Sequence, residues 1–179
     1  MNKEDIKNLF SIIKQGDIIL FGGSDGLMGK LIRYFDNATY THIGIIVLIE
    51  NIPFVLDMWS RGIELVPLTK RLKIYSKYLV LRPTTFLNDN DLFVKNILKE
   101  WENNRKIGYD YFLLLRIAIA KKLKIDIIAW RKKNKWICSE LVQEYCGYFT
   151  NTYENIHLIT PQDFVRYKDE KIKPVFNYQ

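Results

Sequence analysis

The strongest constraint on this chain is a hairpin written into its first third. Thr41 to Ile49 (THIGIIVLI) and Pro53 to Trp59 (PFVLDMW) are apolar, β-branched and aromatic runs of strand length, with Glu50 and Asn51 as the turn between them. A turn centred on those two residues fixes the pairing: Asp57 falls opposite Gly44, and His42 becomes its diagonal neighbour on the same face. Gly44 has no side chain, so an imidazole and a carboxylate can meet above it. Asp17 to Phe21 (DIILF), Ile63 to Val66 after a turn at Gly62, and Tyr78 to Leu81 read as further strands. The expected result is an antiparallel meander, with the basic segment Thr69 to Lys77 as a connection.

Helical spacing accounts for the rest. Asn2 to Gln15 places Ile6, Leu9, Phe10 and Ile13 on one face, and Gly16 stops it; Leu27 to Phe35 follows a glycine-rich loop. That loop, Gly22 to Gly26, lacks the Gly-Lys-Ser/Thr ending that a phosphate cradle needs, so nucleotide binding is set aside. Asn88 to Asn104 has an Asn88 or Asp89 cap and a core face of Leu92, Phe93, Ile97, Leu98 and Trp101. Gly108 breaks the pattern before a helix from Tyr109 to Lys124. A last helix starts at Thr160 as cap with Pro161 first, and Lys171 to Phe176 closes the sheet. With 179 residues, nearly half of them apolar, the chain is expected to form one α+β domain spanning 1–179.

The net charge is +7, which suits an anionic partner: a membrane surface, a nucleic acid or an acidic polymer. Charge does not choose among them. The most apolar stretch, Tyr111 to Trp130, carries Arg116, Lys121, Lys122, Lys124 and Asp126 and is too charged to span a bilayer, though it could lie on one. No targeting signal is read at the start of the chain, so a cytoplasmic protein, with membrane association as a variant, is expected. The two cysteines, Cys138 and Cys146, fall on one helix about 12 Å apart by helical rise, beyond the roughly 7 Å a disulfide allows. They are expected to be free thiols of a reducing compartment.

Cys138 is where chemistry is expected. In Lys135-Trp136-Ile137-Cys138-Ser139-Glu140 a short strand breaks into a helix, and the thiol sits at the helix's first turn. Unpaired N–H groups and the positive end of the dipole favour the thiolate there. Such a nucleophile needs a base and a group that orients the base. Of the two histidines, His42 has Asp57 as a neighbour, whereas His157 lies in a polar segment without an evident carboxylate. Glu140 reads as a first-turn carboxylate favoured by the dipole, and Glu64 as a solvated acid one strand further on. Each candidate has a plainer alternative: Cys138 a small core residue, Asp57 a surface charge, Tyr109 a core aromatic, Ser139 a helix cap. Two cysteines on one helix and two distant histidines do not have zinc-site spacing, so neither metal nor cofactor is expected.

His42 within THIGIIV, an acid on the next strand, Gly108-Tyr109-Asp110, then ICSELV and a trailing Thr160-Pro161 together resemble the circularly permuted papain-like cysteine hydrolases. These are relatives of the NlpC-type cell-wall endopeptidases and include the YiiX-like bacterial and related poxvirus proteins. In the unpermuted branch the cysteine precedes the histidine; here the histidine comes first. The resemblance covers about Gly16 to Phe164 and implies a papain-like α+β fold, an antiparallel sheet or half-barrel with the nucleophile helix packed on it. It implies Cys138 as nucleophile, His42 as base and Asp57, often Glu in relatives, as orienting acid. Tyr109 would line the site or bind the oxyanion, with the backbone N–H of Cys138 or Ser139 as a further donor. The implied reaction is hydrolysis of an amide, in a peptide, isopeptide or cell-wall peptide, with no nucleic acid expected as partner. Two alternatives stay open. One is a lipid acyl hydrolase or acyltransferase docking through Tyr111 to Lys135 on an anionic membrane; the other is a basic binding module without catalysis. The oligomeric state is left open.

Overall fold

The computed structural model describes residues 3–23, 26–83, 90–104, 107–124, 135–146, 159–166 and 172–178. The order of elements is α1 (Lys3–Ile12), β1 (Ile18–Gly22), α2 (Leu27–Asp36), β2 (Tyr40–Ile49), β3 (Ile52–Trp59), β4 (Gly62–Pro67), α3 (Leu68–Leu72), β5 (Lys77–Pro83) and α4 (Asn90–Asn104), followed by β6 (Gly108–Tyr109), α5 (Tyr111–Leu123), β7 (Lys135–Trp136), α6 (Cys138–Cys146), α7 (Asp163–Arg166) and β8 (Ile172–Tyr178). The cap expected at Asn88 or Asp89 and the alternative base His157 lie outside the described residues.

Six strands form one antiparallel sheet in the order β4-β3-β2-β1-β5-β8. The central hairpin has the register its turn demands. Glu50 and Asn51 both take positive φ, the backbone of a tight two-residue turn, Ile49 pairs with Ile52, and Gly44 pairs with Asp57. The expected meander holds for β1, β2, β3 and β4, each antiparallel to the next in chain order. β5 does not follow β4 in the sheet; it crosses over to pair with β1, and β8 adds to its outer edge. The segment read as a basic connection makes this crossing possible: its start folds as α3, which buries Leu68 and Leu72 against the sheet. At the other end, Thr160 and Pro161 precede a helix that starts two residues later than expected, with Thr160 N–H bonded to the Asp163 carboxylate at 2.9 Å.

The sheet is covered on both sides. One face packs Ile19, Phe21, Ile46, Val55 and Val80 against Leu9 and Ile13 of the N-terminal helical segment and Leu68 and Leu72 of α3. The other packs Ile18, Leu20, Ile43, Ile45, Leu56 and Leu81 against Ile97 of α4, and Cys138, Leu141 and Val142 of α6. Two-sided burial explains why β1 and β2 read as nearly continuous apolar runs instead of alternating ones.

One irregularity lies next to His42. Between Phe21 and Gly22 the β1–β2 register skips a residue: Phe21 pairs with His42, but Gly22 pairs with Tyr40, leaving Thr41 bulged. Without the bulge, Tyr40 and His42 would share a face; with it, Tyr40 joins the α6 side while His42 stacks on Phe21 on the other. Gln162 secures this spot from afar, its side-chain oxygen accepting the N–H groups of Thr39 and Tyr40 at 2.8 and 3.2 Å.

Candidate active site

His42 and Asp57 meet where the hairpin register puts them, Nε2 to carboxylate oxygen, at 2.8 Å. Gly44 is what allows this. A Cβ built there would stand 2.6 Å from a Val55 methyl, 2.9 Å from the Leu56 carbonyl oxygen and 3.0 Å from the Asp57 Cβ. The imidazole is caged by aromatic rings: Tyr75 stacks nearly parallel to it at 5.8 Å between centroids, Phe21 at 5.9 Å, and Trp59 meets it edge-on at 5.2 Å. Packing from three sides fixes the ring plane.

Asp57 has a second partner that the sequence reading missed. Arg71 of α3 donates from Nε to one Asp57 oxygen at 2.7 Å and from Nη2 to the other at 2.8 Å, then from Nη2 to Glu64 at 2.8 Å. Its guanidinium carbon also stands 4.4 Å from the Trp59 ring centroid. Glu64, expected to be solvated, is instead tied into this network as the cross-strand partner of Asp57. The signal was available in the register. Two carboxylates directly opposite on one sheet face repel, and a buried pair of that kind requires a cation nearby. Arg71 was hidden among other basic residues of a segment that looked like a solvated loop.

Cys138 opens α6 and is 1 % exposed, a free thiol. Its helix start is built from neighbours in sequence: Leu141 N–H bonds to the Ile137 carbonyl at 3.2 Å, and the Glu140 side chain reaches back to accept the Ile137 N–H at 2.9 Å. Glu140 is therefore a capping carboxylate, as its position suggested. The Ser139 hydroxyl donates to the Ile159 carbonyl and is buried, so what it leaves near the sulfur is its backbone N–H. Tyr109 arrives by a short parallel pairing, Gly108 with Lys135 and Tyr109 with Trp136, which sets its hydroxyl 3.9 Å from the Cys138 sulfur. The next residue, Asp110, caps α5 by accepting the Leu113 N–H at 2.9 Å.

The two halves touch. Cys138 acts on the His42 ring together with Asp57, which occupies Nε2. Burial alone would push the His42 pKa down. The hydrogen bonds to Asp57 and Cys138, with the charges behind them, outweigh burial and raise it to about 9. Burial would likewise raise Asp57, but His42 first and Arg71 next hold it below the ordinary carboxylate range. Burial and the neighbouring sulfur raise the Tyr109 phenol, so it stays a protonated donor at neutral pH. The sequence-predicted His42, Asp57, Cys138 and Tyr109 thus form one cluster.

A cavity of about 270 Å³ opens beside the cluster, lined among others by Thr41, His42, Met58, Trp59, Tyr75 and Tyr109. Cys138 itself is not among the residues that line it. Among the described residues, no three His, Cys, Asp or Glu side chains converge in a way that could hold a metal ion.

No sequence-family model matches the chain, and no curated protein matches it. Among solved structures it is similar to the crystal structure of the metalloprotein YiiX from Escherichia coli O157:H7, DUF1105. The TM-score is 0.56 and the identity 18 %, over 92 % of this chain and 97 % of that one. At that identity the likeness is one of fold. The α+β architecture with its mostly antiparallel sheet is that of YiiX.

Proposed function

We propose that the protein is a cysteine hydrolase of the permuted papain-like kind, cleaving an amide in a peptide, isopeptide or cell-wall peptide. The observation that supports this most is the placement of His42, whose ring is bonded to the buried Asp57 carboxylate at 2.8 Å in the same cluster that holds Cys138 and Tyr109, and whose pKa both Asp57 and Cys138 raise. Such a site sets a charged imidazole beside a cysteine sulfur, the pairing through which a cysteine nucleophile works.

In the proposed reaction the Cys138 thiolate attacks the carbonyl carbon, and the backbone N–H groups of the first turn of α6, with the Tyr109 hydroxyl, donate to the oxyanion. His42 gives its proton to the leaving nitrogen, and a thioester remains on Cys138. Water then attacks the thioester, with neutral His42 taking its proton, and the acid product leaves. Asp57 keeps the ring in one orientation throughout and stabilises its charge, as Arg71 keeps Asp57 ionised. YiiX is titled a metalloprotein, but the residues here do not fit a metal at this site: both Asp57 oxygens are held by Arg71, and one also by His42. The route uses none.

Acylation is the step to test. Incubation with activated N-acyl amides and intact-protein mass spectrometry should show one acyl adduct on Cys138, absent in Cys138→Ala and at least 100-fold slower to form in His42→Ala. Equal acylation of the wild type and His42→Ala would sink the proposal and leave a basic module with an inert core thiol.

A further inference from the structure

Seven of the ten large apolar side chains exposed among the described residues sit on one pair of packed helices, α2 and α5. Leu27 and Tyr34 on α2 are 75 % and 67 % exposed; on α5, Phe112 and Leu123 are 72 % and 61 % exposed, with Leu115 and Ile119 between them. Positions 112, 115, 116, 119, 122 and 123 recur at helical spacing along the solvent side of α5, while Leu113, Leu114 and Ile117 face the protein. This helix is apolar on both sides, which a water-facing surface helix is not.

Among the described residues, the exposed charges on the same two helices and their C-cap have one sign. Lys30, Arg116, Lys122 and Lys124 are exposed, whereas Asp36, the acid of α2, is buried and bound to Arg166, and Asp110 is buried as a cap. Lys122 reaches across the pair, its Nζ 5.0 Å from the Tyr34 ring centroid. An apolar stripe set among lysines and an arginine fits a surface that is itself apolar beneath an anionic layer. A second copy meeting it face to face would oppose like charges, and a purely apolar partner would leave the cations unmatched. No helix among the described residues is long and apolar enough to cross a membrane.

We infer that the α2–α5 face docks in the plane of an anionic lipid bilayer, seating Phe112, Leu123 and Leu27 among the acyl chains and the basic residues at the headgroups. The same two helices contribute Gly29, Ile32 and Tyr111 to the region lining the cavity beside His42, so docking brings that cavity to the lipid surface.

Co-sedimentation of the full chain with vesicles tests this. Binding is expected to phosphatidylglycerol vesicles, at least tenfold weaker to phosphatidylcholine, and weakened at least tenfold by Phe112→Ser with Leu123→Ser and by Arg116→Glu with Lys122→Glu. Ile52→Ser, an equally exposed apolar residue at the β2–β3 turn, should bind as the wild type does, and so should Cys138→Ala, which separates docking from the proposed chemistry. No binding to pure phosphatidylglycerol vesicles at low salt would overturn the inference. So would binding indifferent to both double substitutions, or a concentration-dependent dimer in sedimentation velocity that those substitutions abolish.

Discussion

The sheet half and the helix half of the site are held in different ways. On the sheet, His42, Asp57, Arg71 and Glu64 form an unbroken line of alternating charge, and three aromatic rings enclose the imidazole. Across from it, Cys138 is held by its capped and buried helix start, whereas Tyr109 depends on a two-residue parallel pairing and a 3.9 Å contact with the sulfur. Over-determined geometry suits the oriented base that His42 is in the proposed reaction. Lighter restraint falls on Tyr109, whose hydroxyl faces the buried sulfur. Each prediction below can break or refine that contrast.

Arg71→Met should have the largest effect. It leaves Asp57 and Glu64 opposed across β3 and β4 with no cation between them, and breaking a buried pair in this way costs about 3–5 kcal/mol. Chemical denaturation would measure the loss, and adding Glu64→Gln should recover part of it by removing the repulsion. A loss under about 1 kcal/mol would mean the sheet half is not held by its charges.

The second prediction concerns pH. The folded pKa of His42 is raised from 6.5 to about 9, so its stabilising contribution is complete below about pH 6.5 and is lost as pH rises through 9. The amount is on the order of 3 kcal/mol, by the linkage between pKa and stability. Asp57, with its pKa lowered, acts on the other side: its contribution is present at neutral pH and disappears on acidification. Denaturation midpoints between pH 6 and 10 should therefore fall more steeply for the wild type than for His42→Gln. Parallel curves would show that the imidazole is not charged in the folded protein.

How much of this was legible in the sequence follows the same division. The pairing of His42 with Asp57 was readable because strand period and a two-residue turn fix register locally, and Gly44 marked the close approach. Arg71 was not, because its role depends on α3 folding over the sheet, and a charge surrounded by charges gives no local sign of burial. Nor was the bulge at Thr41, which turns Tyr40 to the face opposite His42. The approach of Cys138 to His42 joins distant parts of the chain; no local pattern encodes it, and it was suggested by the choice between two histidines and by the family resemblance.

Gly44→Ala tests the tightness of the sheet half at a single methyl. The added Cβ would press on a Val55 methyl, the Leu56 carbonyl and the Asp57 Cβ, so the two strands must separate slightly, at about 1–3 kcal/mol for overpacking. The readout that distinguishes strain from simple destabilisation is the pH slope just described: a wedge between His42 and Asp57 lengthens their hydrogen bond and flattens the slope, while the fold survives. Retention of the full slope would place the strain elsewhere along the hairpin.

Tyr109→Phe should be the smallest change in stability and the clearest probe of the helix half. The hydroxyl it removes faces sulfur across 3.9 Å, a weak contact, so the loss should stay within about 1 kcal/mol. If that hydroxyl donates to the oxyanion, acylation of Cys138 should slow by about 10²-fold or more, the scale seen when one oxyanion donor is removed. If it only covers the thiol, acylation should hold steady, and Tyr109→Ala should speed alkylation by a bulky maleimide more than by iodoacetamide. A rate drop in Tyr109→Phe with no gain in access for Tyr109→Ala assigns the phenol to the reaction, and the reverse pattern assigns it to gating. Either result says what the lighter restraint on this half is for, because a donor must stay beside the sulfur and a cover must leave it.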